Sequence, residues 1–383
     1  MRLVFNLGNV KKRICLHLLT RFDLLGQAAR METFDDQSGG KNMQNNMRKW
    51  MYSLSTSIER QAMPIMTYPG LSLANTGINE VVRYGEAQFK CMEALADKYP
   101  SAAAVTTMDL SVEAEAFGSP IRFSQTEIPA VTSSIVHDEE SIKALRIPKV
   151  GDGRTSSYIT AAKLAARHIK DRPTFGGEIG PISLASRLFD MSEIMIAMML
   201  EPDMIHLLLE KVTTFLIEYA RAYKDVGANG IIIAEPVAGL LSPLQCEAFS
   251  SNYIERIVED VQDDYFMVIL HNCGNTTNLV PSMLNTGAFG FHFGNSVDMR
   301  DIMPQIPWGR IAFGNIDPAS IFRNGTVEDV RAKTWELLES TFSYKNFVLS
   351  SGCDIPPGTP IENLEMFFQK LAEFNTAMLK SVR

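Results

Sequence analysis

Long apolar runs are missing from this chain. None reaches the roughly 18–20 uninterrupted apolar residues that a membrane helix needs; "SEIMIAMMLEP" is rich in methionine but too short. Cysteine is scarce. The 383 residues hold five, Cys15, Cys91, Cys246, Cys273 and Cys353, at irregular spacing. An odd, irregular set excludes a disulfide framework and points to a reducing, cytoplasmic setting. Positive charge is in deficit as well: 36 Lys and Arg stand against 44 Asp and Glu, for a net charge of −8 and a pI near 5.4. A general nucleic-acid or anionic-membrane binder needs the opposite balance, so neither partner is expected. A small or neutral ligand fits better.

The charge is unevenly spread. Residues 1–50 carry nine basic and four acidic side chains, about +5, and the remainder is about −13. The polar stretch "DDQSGGKNMQNNM" follows, and Met31, Met43 and Met47 each offer an alternative start. Residues 1–46 are therefore expected to be a poorly ordered extension that is not needed for folding, with one catalytic domain over 47–383.

From Met47 onward, short β-rich runs alternate with longer segments of helical period, the pattern of a parallel α/β protein. The runs are 64–68, 104–110, 174–180, 230–236, 266–273, 289–295, 310–317 and 346–353. Between them, Ile205, Leu208, Leu209, Val212, Leu216 and Tyr219 recur at helical spacing before a stop at Gly227, and Ser242 with Pro243 marks another helix start. Eight strands with intervening helices predict a (β/α)8 TIM barrel, enlarged by an insertion between strands two and three. Within that insertion, "FGSPIRFSQTEIPAVTSSIVHD" reads as a hairpin over the barrel mouth.

Barrels of this kind carry chemistry at the C-terminal ends of their strands. Here those ends hold Tyr68, Asp109, Glu178, Glu235, His271 with Cys273, His292 with Asn295, Asn315 with Asp317, and Cys353 with Asp354. Residues two apart on a strand face the same side, so His271 and Cys273 can address one point. An H-x-C pair arises by chance in roughly one in twelve chains of this composition, so the pair alone is weak. Cys353, ending the eighth strand, adds the ligand that matters. Two sulfurs and one imidazole suit zinc with an open fourth position; the competing reading is two small buried cysteines and a hydrogen-bonded strand histidine. Cys91 and Cys246 fall in helical patterns and read as structural.

The segments "MDLSVEAEAFG", "IGPISLASRLF", "VGANGIIIAEPVAGLLSP", "ILHNCGN", "FGNIDP" and "SSGCDIPPGTPIENLEMF" occur in this order from residue 108 to 367. In them the chain resembles the uroporphyrinogen decarboxylase superfamily, especially its methylcobalamin:coenzyme M methyltransferase branch. The resemblance implies a catalytic zinc on His271, Cys273 and Cys353, and methyl transfer between a corrinoid and a thiol or folate acceptor. No "DxHxxG"-type corrinoid segment is present, so the corrinoid is expected on a separate partner protein.

The decarboxylases of the superfamily use an "RQAGR"-type motif to grip substrate carboxylates and an aspartate after strand two to hold pyrrole nitrogens. Here Arg60-Gln61-Ala62 continues as "MPI", without the glycine and second arginine, while Asp109 is retained. An octacarboxylate substrate needs several fixed cations, which makes decarboxylation the weaker reading. A non-catalytic module that binds a tetrapyrrole or corrinoid protein is the third. Among the remaining strand ends, Glu235 is a candidate fourth ligand or base beside the metal, or else a cap for the helix near Ser242. Asp109 is the other candidate catalytic carboxylate, and Asp317, Asn315 and His292 are candidates for positioning cofactor. "NIDP" reads equally well as a turn and helix start, and a lone strand histidine as a packing residue.

Overall fold

The structure is a computed structural model that describes residues 45–382. Residues 1–44 of the proposed extension, Cys15 included, lie outside the described residues. Within the compact unit Gln44–Asn375, seven parallel strands form one curled sheet, each hydrogen-bonded to the next in the order given. They are β1 (Ala104–Val105), β4 (Thr174–Ile179), β5 (Gly230–Ala234), β6 (Met267–Asn272), β7 (Gly290–Phe293), β8 (Ile311–Ile316) and β9 (Phe347–Ser351). The short β2 (Ile121–Arg122) and β3 (Ala130–Val131) pair antiparallel, as the insertion's hairpin.

The chain before β1 closes the ring. Met63 N–H donates to Leu349 O at 2.9 Å, Leu349 N–H to Gln61 O at 3.1 Å, and, on the other side, Ala102 N–H to Ala62 O at 2.7 Å. The fold is a TIM-barrel-like α/β fold. The sequence predicts a regular strand over 64–68, but only one ladder bridge forms, Ala62 with Leu349. Pro64 has no N–H to give, and Ile65 N–H turns instead to the Ser351 hydroxyl at 3.1 Å.

The second expected strand, 104–110, is cut short for a related reason. After Val105, side chains replace backbone partners: Thr107 N–H donates to Gln88 Oε1 at 3.2 Å and Met108 N–H to Asp354 Oδ2 at 3.4 Å. Gly177 N–H on β4 takes Thr106 Oγ1 at 2.8 Å. Backbone groups remain paired, but the ladder ends where the mouth begins.

Inward-facing side chains of alternate strand positions fill the barrel: Ile65, Phe175, Ile232, Met267, Ile269, Phe313 and Val348 belong to one buried cluster. Above this layer the same faces turn polar. The register pairs Ile269 with Gly290 and His271 with His292, then His292 with Phe313 and Asn315 with Ser350. His271 and His292 thus sit on adjacent strands just above the apolar plug, and Ser350 stands at the same level on β9, beyond β8.

The helices match their periodicity. Pro202–Asp225 buries Ile205, Leu208, Leu209, Val212, Leu216 and Tyr219, and Gly227 follows at φ +92°, the left-handed conformation a helix stop favours. Ser242 accepts from Gln245 N–H, and Gln245 Oε1 from Ser242 N–H, in a capping box. That helix widens into one π turn at Glu247–Ser251 before continuing as Asn252–Val261.

Candidate metal centre

His271 ends β6, Cys273 follows in the turn, and Cys353 stands just past β9. One ligand atom from each lies within 4.8 Å of the others. Zinc–sulfur bonds of about 2.3 Å and zinc–nitrogen bonds of about 2.0–2.1 Å in tetrahedral array would set such atoms about 3.5–3.8 Å apart. A small inward movement suffices. Both cysteines are free and partly exposed, whereas His271 is buried.

Hydrogen bonds behind His271 decide which of its nitrogens faces the sulfurs. Ser350 donates its hydroxyl to Met63 O at 2.7 Å, so its lone pairs face His292 Nε2 at 2.9 Å, and that nitrogen carries a proton. Burial pushes the His292 pKa well below its usual value and keeps the ring neutral, with Nδ1 unprotonated. His271 Nδ1, 2.8 Å from His292 Nδ1, is then the N–H donor of that contact. The free lone pair of His271 therefore lies on Nε2, a buried atom that no oxygen or nitrogen partners and whose neighbour is the Cys273 sulfur. A strand histidine that was merely satisfied in the core would not leave that atom bare. The chain Met63, Ser350, His292 and His271 fixes the tautomer a metal ligand requires.

The sulfurs are prepared too. Interaction with Cys353 and with His271 draws Cys273 down to about 4. Its contact with Cys273, followed by burial, pushes Cys353 well up. Each sulfur is thus the other's main electrostatic neighbour, and a cation between them would favour the thiolate form of both. The turn that carries Cys273 is rigid: Asn272 Nδ2 donates to Glu235 O at 2.8 Å and Asn272 Oδ1 accepts from Gly274 N–H at 2.8 Å. Gly294 passes so close that an added Cβ would come within 2.4 Å of the Cys273 Cα. The donor set, its geometry and its bare nitrogen fit zinc.

His271, Cys273 and Cys353 line a cavity of about 210 Å³ together with Asp109, Ser111, Ile128, Arg187, Pro236 and Asp354. Ile128 comes from the hairpin, so the insertion contributes a wall of the mouth. Asp109 is fully engaged. Its Oδ1 accepts from Ser111 N–H at 3.0 Å and Ser111 Oγ at 2.6 Å, and its Oδ2 from Arg154 Nη1 at 2.5 Å and Tyr158 OH at 3.1 Å. Asp354 is the contrary case: burial raises its pKa well above the usual carboxylate range, and its Oδ1 has no partner.

Glu235 does not join the trio. Its carboxylate accepts from Ile182 N–H at 2.9 Å, Ser183 N–H at 3.2 Å and Ser250 Oγ at 3.1 Å, the last from the π turn. It caps the helix Pro181–Phe189 rather than the helix near Ser242, and an added Cβ on Gly180 would fall 2.0 Å from its Oε2. Burial nevertheless raises its pKa to about 7 against those hydrogen bonds. His292 lies behind His271 rather than in the open mouth. Asn315 and Asp317 line a separate cavity with Asn295 and Arg300. There Asn315 Nδ2 donates to Gly294 O and Val297 O, and Asp317 Oδ1 accepts from Ala319 and Ser320 N–H, both at 2.8 Å.

Sequence reasoning missed Ser350, Asn272, Arg154 and Arg187. Ser350 and Asn272 carry a weak signal, being polar residues on inward or terminal positions of apolar strands. Arg154 lies in the insertion, and no spacing rule ties it to Asp109.

Comparison with known proteins identifies the family and the fold. The uroporphyrinogen decarboxylase (URO-D) family model matches residues 55–374. A methylcobamide:CoM methyltransferase, MtbA of Methanosarcina acetivorans, is 31% identical over 270 residues, covering 67% of this chain and 75% of its own. A uroporphyrinogen decarboxylase of Coxiella burnetii is 25% identical over 291 residues, covering 73% and 79%. Among solved structures, a methyltransferase from Methanosarcina mazei superimposes with a TM-score of 0.77 at 23% identity, over 86% of this chain and 98% of that one, a likeness of fold. The chain belongs to the uroporphyrinogen decarboxylase (URO-D) family.

Proposed function

We propose that this protein is a zinc-dependent methyltransferase that moves a methyl group between a corrinoid, held on a separate protein, and a small thiol. The observation that carries the reading is the bare Nε2 of His271, held by a tautomer-fixing chain and grouped with two sulfurs within 4.8 Å. His271, Cys273 and Cys353 would hold the metal. Bound there, zinc supplies an open position that lowers the pKa of an acceptor thiol toward neutrality.

The chain's own residues do the rest. With the metal bound, Cys273 and Cys353 would bring negative charge to the centre, which would keep the acceptor sulfur nucleophilic. The acceptor thiol would release its proton to solvent, and its sulfur would form the new bond to the methyl carbon while the cobalt–carbon bond breaks and its electron pair stays on cobalt. A cavity of about 210 Å³ admits a small thiol, and the corrinoid macrocycle must approach from outside. Ile128 and Pro236 on the wall reduce the water around the reacting sulfur. The methyltransferase named among the relatives works with CoM as its printed name states, which supports a thiol over a folate acceptor.

Decarboxylation of a porphyrinogen fares worse. Arg60, the remaining arginine of the substrate-gripping motif, is buried and donates to Tyr344 O at 2.7 Å and to Phe342 O, away from the cavity. Asp109 has no lone pair left for pyrrole N–H groups. A direct test mixes zinc-loaded protein with methylcobalamin and a thiol and follows demethylation by absorbance. Methyl transfer that vanishes in Cys273→Ala, with loss of zinc, is expected. CO₂ release from a porphyrinogen without methyl transfer would overturn the proposal; binding of a corrinoid with no turnover of either kind would leave a binding module.

A further inference from the structure

The hairpin that walls the metal centre has little of its own to hold it. Its ladder is two residue pairs long, Ile121 with Val131 and Arg122 with Ala130. So short a hairpin is marginal in water. The base is tied down: Thr132 N–H donates to Pro120 O at 3.0 Å, and Ile135 and Val136 N–H donate to Leu188 O at 2.8 and 3.0 Å. Beyond the base, among the described residues, the hydrogen bonds of residues 123–129 stay within the tip, between Ser124 and Thr126. Yet this span delivers Ile128 and Pro129 to the cavity that holds Cys273 and Cys353.

Phe123 supplies the attachment. Its ring packs on the buried group of Tyr68, Ile78 and Val82, and two guanidinium groups lie over it, Arg83 at 3.7 Å and Arg154 at 5.0 Å from the ring centre. A cation over an aromatic face is attracted by the ring's quadrupole, more strongly where water is excluded. Arg154 is buried, and it is fixed by Asp109 Oδ2 at 2.5 Å, Glu115 Oε2 at 2.5 Å, Ser111 Oγ at 2.7 Å and Val82 O at 3.1 Å. Asp109 and Ser111 line the same cavity. One fixed cation thus joins the Asp109 wall of the cavity to the hairpin wall. Arg83 is exposed, so its removal strands no buried charge.

We infer that Phe123 is the positioning residue of the hairpin wall and that, through Ile128 and Pro129, it sets how large a molecule reaches the two sulfurs of the metal centre. This role follows from the cavity and the hairpin alone and holds whatever reaction the metal centre performs.

Alkylation of Cys273 and Cys353 in the full-length, chelator-treated protein reads that size limit. Iodoacetamide is the small probe and N-(1-pyrenyl)maleimide the bulky one, each rate is taken relative to free cysteine, and mass mapping assigns the sites. Wild type is expected to react with the small probe and only slowly with the bulky one. Phe123→Leu keeps an apolar side chain and loses the ring; it should speed the bulky probe by about tenfold and leave the small one within about twofold. Phe123→Tyr, which keeps the ring face, should restore the wild-type ratio, and Arg83→Gln should shift it part of the way toward Phe123→Leu with circular dichroism unchanged. An unchanged ratio in both Phe123→Leu and Arg83→Gln would overturn the role. So would equal acceleration of both probes, which marks general loosening, or a Phe123→Tyr protein that behaves like Phe123→Leu. Should Phe123→Leu fail to fold, Arg83→Gln decides alone.

Discussion

The cavity at the metal centre and the one around Asn315 and Asp317 both carry polar side chains, and they differ in how those groups are used. Around Asn315 and Asp317 the space is the larger, about 540 Å³ against about 210 Å³. Its polar side chains pair with one another: Asn295 Nδ2 donates to Asp317 Oδ2 at 3.0 Å, and Arg300 pairs with Asp298. Around His271 the pairing is incomplete, with His271 Nε2 and Asp354 Oδ1 both bare. Buried polar atoms are nearly always partnered in folded proteins, so a bare one that lines a cavity points to a ligand position. Cavity size does not.

Four expected outcomes break or sharpen that contrast. The largest is Cys273→Ala: zinc should fall from about one per chain to near none, and methyl transfer by about 100-fold or more. Zinc analysis and X-ray absorption check it, and a spectrum without sulfur near about 2.3 Å removes the site. Next, Ser350→Ala unlocks the His292 tautomer without touching a ligand, so zinc affinity should weaken by about 10–100-fold in competition with a chelator. Unchanged affinity would mean that the hydrogen-bond chain does not set His271.

Glu113 and Glu178 test the contrast from outside both cavities. Glu178 has two bare oxygens and Glu113 one, yet neither lines a ligand space. Protonation explains them. Burial lifts Glu113 from 4.5 to about 7, and burial together with Glu113 lifts Glu178 well above its usual range. A folded-state pKa above the unfolded value gives stability at low pH that is lost as pH rises, here from about 4.5 through about 7. Urea unfolding at about pH 5 and about pH 8 should show wild type losing about 1–3 kcal/mol more than Glu113→Gln, which keeps an acceptor for Ile179 N–H. Equal losses would return these carboxyls to the class of vacant ligand positions. Smallest is Asp317→Ala, which should cost about 1 kcal/mol as a lost helix cap and leave zinc content unchanged. Reduced corrinoid binding at unchanged stability would make the second cavity functional after all.

Much of the fold was legible because it follows from periodicity. The helix ending at Gly227, the Ser242 cap and the parallel strands from β4 to β9 depend on local pattern. Strands 64–68 and 104–110 were overextended because side-chain acceptors such as Ser351, Gln88 and Asp354, remote in sequence, displaced the ladder. Of the site, His271, Cys273 and Cys353 could be found from strand ends and residue chemistry. Glu235 could not be assigned, since the helix it caps, Pro181–Phe189, lies more than 45 residues away.

By itself the sequence determined which ligand types reach the mouth, because strand alternation and barrel geometry fix the side on which each residue emerges. Only the tertiary structure decided their state. Whether a carboxylate is spent, as at Asp109, or half-used, as at Asp354, and which histidine nitrogen faces the sulfurs, are matters of hydrogen bonding between strands and insertions far apart in the chain. These contacts have no local signature. They exist only once β6, β7 and β9 are brought into one curled sheet, where each buried polar atom must find a partner or await one.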